Sequence, residues 1–197
     1  MIETSFIPVD RTKGTASFRL RTLKRSPKNQ SPLFPSQPHS LLPPPNMAAH
    51  RRITLVLDVD ETLVHSSFTP QPDIQYDKEL MVTYNYKLYT IYVRYRPYLH
   101  EFLRFVSERF ETVIFTASLC AYCDPLIDAI DENGILGNLR LFREHCTLRS
   151  NSYIKDLFLL GRDLGRIAII DNSPTAYLFQ QRNAIPIKSW FGDPNDQ

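Results

Sequence analysis

A short apolar run that stops at two carboxylates is the feature that most constrains this chain. Residues 53–57 read Ile-Thr-Leu-Val-Leu, and Asp58 and Asp60 follow at once. Such a run, rich in aliphatic and β-branched residues, is typical of a strand buried on both faces of a parallel sheet. In open α/β sheets, ligands bind beyond the carboxyl ends of the strands. The sequence therefore predicts an α/β fold with a polar site at the end of this strand.

Two further apolar stretches are predicted to be buried strands, and each also ends in polar residues. Residues 112–115 read Thr-Val-Ile-Phe and lead to Thr116, while residues 166–170 read Arg-Ile-Ala-Ile-Ile and lead to Asp171-Asn172. Lys155 lies between these two stretches in the chain. An ordered set of strand ends with two carboxylates, a hydroxyl and an Asp-Asn pair indicates phosphoryl-transfer chemistry.

The region after the first strand is predicted to hold a β-hairpin and helices. Residues 79–94 are dense in Tyr, Val, Ile and Thr, with a turn near residues 85–87, which is typical of a hairpin. After Pro97, apolar residues recur at three- and four-residue steps to about Arg109, as on one face of a helix. A second helix is predicted over residues 119–130.

The pair Asp58 and Asp60 suits a defined chemistry at a strand end. One carboxylate can attack a phosphoryl group and form an acyl phosphate, while a second carboxyl protonates the leaving oxygen and later activates water. Two nearby negative charges also form a site for Mg²⁺. Thr62 can donate its hydroxyl to the nucleophile. For a D-x-D pair taken alone, the alternative is a strand followed by a solvated acidic turn.

The longer stretch D-V-D-E-T-L-V-H-S-S, residues 58–67, resembles the first motif of the haloacid dehalogenase superfamily. Its form is that of the Fcp1/small carboxy-terminal-domain (CTD) phosphatase family. The resemblance covers about residues 51–197, with blocks similar to Dullard-type members and one similar to the small polymerase-tail phosphatases, so the subfamily stays open. It implies a Rossmann-like parallel sheet with helices on both faces and an inserted β-hairpin flap.

The resemblance also implies roles for individual residues. Asp58 would be the nucleophile that forms an aspartyl-phosphate, and Asp60 would be the general acid and then the general base. The phosphoryl group would be bound by Thr116, Arg143 and Lys155. Mg²⁺ would be held by Asp58, the backbone carbonyl of Asp60 and Asn172, with Asp171 close by.

In the polymerase-tail members, an apolar pocket beside the site accepts a substrate proline. The matching positions here are Phe68, Val82, Tyr84, Ile91 and Leu119. Tyr84 departs from the usual aliphatic residue, so the same peptide preference is not implied for this chain.

Composition and charge divide the chain near residue 50. Residues 1–49 hold eight of the fifteen prolines and show no sustained periodicity, which predicts a disordered, basic, Pro/Ser-rich leader or, alternatively, an organelle transit peptide. Residues 1–52 carry nine Lys and Arg against two carboxylates, whereas residues 53–197 carry fourteen against nineteen. Residues 50–197 are predicted to form the FCP1-homology phosphatase domain. Met47 is an alternative start, and the helix that usually completes the domain is expected to be missing at the C-terminus.

Other features bear on location and partners. No apolar run approaches the roughly 20 residues needed to span a bilayer, so we expect a soluble protein without a membrane span. Three cysteines, an odd number with no secretory signal, suit a reducing compartment. We expect a nuclear or cytoplasmic rather than a mitochondrial location, a phosphoprotein as the partner and no direct contact with nucleic acid. The oligomeric state is not predicted.

The resemblance, with a matching residue at every catalytic position, implies a Mg²⁺-dependent phosphoserine/phosphothreonine protein phosphatase. The candidate substrates are the RNA polymerase II CTD and a lipin-like phosphoprotein. An alternative is a non-enzymatic binding protein resembling the mitochondrial import subunit that shares this domain, which the basic leader favours and the intact D-V-D-E-T does not. A small-molecule phosphatase is a third hypothesis. It is weakened because a hairpin flap leaves an open cleft rather than the enclosed cap that is usual for relatives that hydrolyse metabolites.

Overall fold

The structure, a computed structural model, describes residues 40–45, 52–131 and 133–196. In chain order, its strands and α-helices are β1 (Thr54–Leu57), β2 (Val64–Ser67), β3 (Lys78–Tyr84), β4 (Lys87–Tyr95), α1 (Leu99–Arg109), β5 (Glu111–Phe115), α2 (Cys120–Ile130), β6 (Arg140–Leu141), β7 (Thr147–Arg149), β8 (Ser152–Ile154), β9 (Ile167–Asp171) and β10 (Ala184–Pro186). α1 begins at Leu99, two residues after Pro97, because Tyr98 has a left-handed backbone with a φ of 63°.

Five parallel strands form the central sheet of the described region, in the order β10, β9, β1, β5, β6. β1 pairs with both β9 and β5, and Leu57 lies opposite Ile170 on one side and Ile114 on the other. All residues of β1 and β5 are buried, as strands covered on both faces must be. The predicted parallel α/β sheet is confirmed, and the carboxyl ends of its three central strands lie at one edge.

The predicted hairpin is present and belongs to a second sheet. β3 and β4 pair in antiparallel fashion, and Asn85 and Tyr86 form the turn with φ angles of 48° and 61°. Two successive positive φ angles give the turn whose twist matches that of hairpin strands. β2 adds to β4 as a third strand. We did not predict β2, because its sequence, Val-His-Ser-Ser, is short and largely polar.

Two apolar cores lie on opposite faces of the central sheet. Leu55 and Leu57 pack with α1, α2 and the β2–β3–β4 flap. Val56 points the other way, since side chains alternate along a strand, and packs with Leu157 and Leu160 of a 3-10 helix. Helical elements therefore cover both faces, with α-helices on one and 3-10 helices on the other. No helix of the described residues is long and apolar enough to cross a membrane.

The structure differs from the predicted leader at residues 40–45, which are ordered against the 3-10 helix Leu157–Leu160. The N–H of Leu41 donates to the Leu159 carbonyl (2.8 Å), and the Ser40 hydroxyl donates to the Leu160 carbonyl (3.0 Å). Leu42 is only 4% exposed and belongs to the second core. Burial of this leucine outweighs the proline-rich composition around it, so the folded unit includes residues before position 50. Residues 1–39 and 46–51 lie outside the described residues, and with them the remaining leader, transit-peptide and Met47 predictions.

Candidate active site

The carboxylate of Asp58 lies at the carboxyl end of β1, where it meets a buried lysine. The N–H of Asp58 donates to the Ile170 carbonyl (3.0 Å), so the sheet still holds this residue. Lys155 donates to Oδ1 of Asp58 (2.5 Å) and to Oδ2 of Asp171 at the end of β9 (2.6 Å). Thr62 donates to Oδ2 of Asp58 (2.8 Å). Both oxygens of the Asp58 carboxylate are thereby oriented.

Lys155 keeps its charge although it is only 1% exposed. Burial disfavours the ammonium, but the carboxylates of Asp58 and Asp171 outweigh this effect, so the pKa of Lys155 lies above its ordinary value. One ammonium does not neutralise two carboxylates. Burial, together with the charge of Asp58, therefore raises the pKa of Asp171 to about 6 despite its contact with Lys155. The three side chains form a cluster with excess negative charge, which a bound cation would offset.

Asp60 is held by a chain of hydroxyl groups. Ser118 donates to its Oδ2 (2.5 Å) and Tyr122 donates to its Oδ1 (2.7 Å), while the Tyr122 hydroxyl also lies 2.7 Å from the Ser66 hydroxyl. Burial raises the pKa of Asp60 to about 6, although these hydrogen bonds lower it and nearby carboxylates add to the rise. A carboxyl with this pKa can release and recover a proton near neutral pH.

Asn172 adds an amide oxygen beside Asp58. Its Oδ1 lies 3.4 Å from the Thr62 hydroxyl oxygen, and its amide nitrogen donates to Ser189 (2.9 Å). Mg²⁺ prefers oxygen ligands and is usually bound by one or two carboxylates, water and substrate phosphate rather than by a full protein cage. In the described residues, no group of three or more His, Cys, Asp or Glu side chains is placed to hold a metal. The mixed carboxylate and amide donors fit Mg²⁺.

The loop after β5 connects two further predicted phosphate ligands to the site. Thr116 is buried, and its hydroxyl accepts from the N–H of Ser118 (3.0 Å). Arg143 donates through its N–H to the Ser118 carbonyl (3.0 Å) and through Nε to the Ala117 carbonyl (2.6 Å). Because Ser118 also holds Asp60, this loop places Thr116 and Arg143 on the Asp60 side of the site.

The five predicted pocket residues do not all lie at the surface. Val82 and Ile91 are only 3% and 2% exposed and belong to the core between the flap and α2. The inward positions of both flap strands pack the flap on the domain. The substrate pocket itself stays a prediction. Phe68, Tyr84 and Leu119 are partly exposed.

Sequence analysis missed the three hydroxyl groups around Asp60, which belong to Ser66, Ser118 and Tyr122. Ser118 lies in the loop before α2, and Tyr122 lies in the first turn of that helix, with the extended residue Leu119 between the two segments. The helical i, i+4 spacing therefore does not apply to the Ser118 and Tyr122 pair, and no local pattern pointed to it. No local pattern linked Ser66 to Tyr122 either, because the flap brings them together.

Comparison with known proteins identifies relatives of this chain. The family model for NLI interacting factor-like phosphatases matches residues 53–197. A probable C-terminal domain small phosphatase from Dictyostelium discoideum is 50% identical over 146 residues, which are 73% of this chain and 46% of that protein. Carboxy-terminal domain RNA polymerase II polypeptide A small phosphatase 2 from Homo sapiens is 46% identical over 156 residues, 79% of this chain and 56% of that protein. The chain thus spans about half the length of these curated relatives.

Solved structures of Fcp1, an essential RNA polymerase II CTD phosphatase, share the fold. One aligns with a TM-score of 0.61 at 22% identity and covers 73% of this chain and 44% of that chain. Another, from fission yeast with beryllium fluoride bound, has a TM-score of 0.61 at 21% identity over 73% of this chain and 43% of that chain. The predicted resemblance to the Fcp1/small CTD phosphatases is confirmed. The chain belongs to the NLI interacting factor-like phosphatase family.

Proposed function

We propose that this chain is a Mg²⁺-dependent protein phosphatase that acts on phosphoserine and phosphothreonine through an aspartyl-phosphate. The observation that carries the proposal is a pair of carboxyl groups with different surroundings. Asp58 contacts an ammonium and a hydroxyl, whereas burial raises the pKa of Asp60 to about 6. Two carboxyl groups placed in such different environments suit a nucleophile and a general acid.

The reaction proceeds in two steps. In the first, an oxygen of the Asp58 carboxylate attacks phosphorus, the bond between phosphorus and the serine oxygen breaks, and Asp60 gives its proton to that oxygen. The result is an aspartyl-phosphate and a free serine hydroxyl. In the second step, the water oxygen attacks phosphorus, the bond between phosphorus and the Asp58 oxygen breaks, and Asp60 takes the proton that the water loses. Inorganic phosphate leaves, and both carboxyl groups return to their starting forms.

Thr116, Arg143 and Lys155 are the proposed ligands of the phosphoryl oxygens. A phosphate dianion beside Asp58 would be repelled at close range, so fixed positive charges and donors are needed there. The guanidinium of Arg143 lies 5.0 Å from the centre of the Tyr153 ring. Within the described part of the chain, its terminal nitrogens make no hydrogen bond, so they remain for a phosphate.

Asp58, Asn172 and the backbone carbonyl of Asp60 are the proposed ligands of Mg²⁺, with Asp171 close by. When bound, Mg²⁺ would offset the charge of the phosphoryl oxygens near a carboxylate. The excess negative charge around Lys155 and the oxygen donors beside Thr62 support this choice of cation.

A phosphorylated protein segment is the proposed substrate. The human relative is named for the RNA polymerase II carboxy-terminal domain, so CTD phosphopeptides are the first candidates and a lipin-like phosphoprotein is the second. Phe68 and Tyr84 of the flap region, with Leu119 before α2, are partly exposed and suit contact with a peptide. The import-type binding protein has only the basic residues of the leader in its favour, and the relatives found carry the names of phosphatases. A nuclear or cytoplasmic location accompanies this proposal and stays a prediction.

The decisive experiment compares Asp58→Asn with a matched change on the surface. Asp58→Asn keeps the shape of the side chain but removes the attacking carboxylate, and we expect no turnover of a phosphoserine peptide or of p-nitrophenyl phosphate. Asp73→Asn makes the same chemical change at an exposed turn residue with a φ of 65°, which asparagine tolerates, and should leave kcat within about two-fold. Activity that survives in Asp58→Asn would remove the proposed nucleophile.

Two further measurements separate the parts of the proposal. EDTA should stop phosphate release and added Mg²⁺ should restore it, whereas full activity in EDTA would argue against the cation. Beryllofluoride should form an adduct on the Asp58 carboxylate, and an adduct elsewhere would contradict the aspartyl-phosphate. Rates on CTD phosphopeptides and on a lipin-like phosphopeptide would then rank the substrates.

A further inference from the structure

Two hydroxyl groups contact the Asp60 carboxyl, and a third lies behind them. Ser118 and Tyr122 each donate to a different oxygen of Asp60, at 2.5 and 2.7 Å. The Tyr122 hydroxyl lies 2.7 Å from Ser66 in the flap strand β2. The contacts therefore connect the end of β1, the first turn of α2 and the flap. None of these hydroxyl groups has a part in the bond-making steps described above.

We propose that Tyr122, supported by Ser66, and Ser118 are positioning residues that hold the Asp60 carboxyl for proton transfer to and from the reacting oxygen. The inference rests on the proposed function, since it assigns a task to groups around the general acid. Tyr122 is suited to the task because it is only 4% exposed and its ring packs in the first core. A side chain fixed by packing gives its hydroxyl a fixed position.

The hydroxyl group is the right chemical type for a carboxyl that must exist in two forms. A hydroxyl can donate one hydrogen bond and accept others. When Asp60 is ionised, Tyr122 donates to Asp60 and accepts from Ser66. When Asp60 carries a proton for the leaving oxygen, its oxygens can still accept from Tyr122 and Ser118, and Tyr122 still accepts from Ser66. Neither form leaves a buried polar atom without a partner, which would be costly.

The test uses Tyr122→Phe and two substrates that differ in their need for a general acid. A serine oxygen must be protonated as it leaves, whereas p-nitrophenolate leaves without a proton. kcat/KM reports only the steps up to departure of the alcohol, so it excludes the later attack by water. We expect kcat/KM for a phosphoserine peptide to fall about ten-fold and that for p-nitrophenyl phosphate to fall less than about three-fold.

Matched variants separate a loss of Asp60 positioning from a general loss of activity. Tyr76→Phe removes a hydroxyl that accepts from the Gln71 N–H on the loop before β3, and it should leave the ratio of the two kcat/KM values unchanged. Ser118→Ala should lower the ratio as Tyr122→Phe does, and Ser118→Thr, which keeps the hydroxyl, should restore most of it. Equal losses on both substrates, or no loss on either, would overturn the inference.

A measurement independent of turnover tests the contact itself. By proton NMR, the Tyr122 hydroxyl resonance, identified by its loss in Tyr122→Phe, should move when Asp60→Asn is introduced. A resonance that does not move would overturn the inference. If the wild-type chain released no phosphate, the proposed function would fail, and the NMR result would still decide whether Tyr122 holds Asp60.

Discussion

Replacing Asp60 by asparagine should stabilise the metal-free protein at neutral pH while removing most of the activity. Burial raises the pKa of Asp60 from 3.8 to about 6. About 2 pKa units at 1.36 kcal/mol each make the ionised carboxyl cost about 3 kcal/mol in the folded state at pH 7. An amide avoids this cost, but it accepts on one oxygen where the carboxylate accepts from both Ser118 and Tyr122, a loss of about 1 kcal/mol. The expected net gain is about 2 kcal/mol.

The pH dependence gives this prediction its sign. Because the pKa of Asp60 is higher in the folded protein, the unfolded chain loses this proton first as the pH rises. Ionisation of Asp60 therefore lowers the free energy of unfolding of the wild-type protein as the pH rises from about 4 to 6. Asp60→Asn has no such group and lacks this decrease. The difference between the two proteins should be near zero at pH 4 and about 2 kcal/mol at pH 7.

Urea unfolding of both proteins in EDTA, at several pH values from 4 to 7.5, measures this difference. Glu79→Gln is the control, because it neutralises an exposed carboxylate and should change the free energy of unfolding by less than about 0.5 kcal/mol. In the activity assay with Mg²⁺, Asp60→Asn should lower kcat on a phosphoserine peptide by roughly 10²- to 10⁴-fold. An Asp60→Asn protein less stable than wild type at pH 7, or a difference that does not vary with pH, would refute the reasoning.

Three further predictions concern stability in urea. Lys155→Met should lower the free energy of unfolding by about 3–5 kcal/mol at pH 7, since two buried carboxylates lose their cation, and adding Asp171→Asn should recover part of this; no recovery would assign the loss to packing. Leu42→Ala should cost about 2–5 kcal/mol and Leu88→Ala, which is 65% exposed, less than about 0.5 kcal/mol; equal costs would mean that Leu42 is not in the core. Gly161→Ala should cost at least about 1 kcal/mol more than Gly137→Ala, because both residues have positive φ angles but only at Gly161 would the new methyl group overlap Ser40. Equal costs would argue against the Ser40 contact.

The strands around the site could be predicted because each combines an apolar run with an abrupt polar end. Residues 53–57, 112–115 and 166–170 are largely apolar on both faces of a strand, which favours burial on both faces. Each of these short segments shows this pattern without reference to the rest of the chain. Residues 40–45 could not be predicted in the same way. One leucine among prolines has no periodicity, and its burial depends on a 3-10 helix more than a hundred residues away.

The amino-acid sequence by itself determined which three segments form buried strands and which polar residues end them, because an apolar run and its polar end involve only a few neighbouring residues. Only the tertiary structure decided that Lys155 reaches Asp58 across 97 residues and that Tyr122 meets Asp60 and Ser66. It also decided that Val82 and Ile91 of the flap pack in the first core. The physical reason is that contacts between distant segments depend on how the sheet, flap and α2 pack together. A pattern within a few neighbouring residues does not predict that packing.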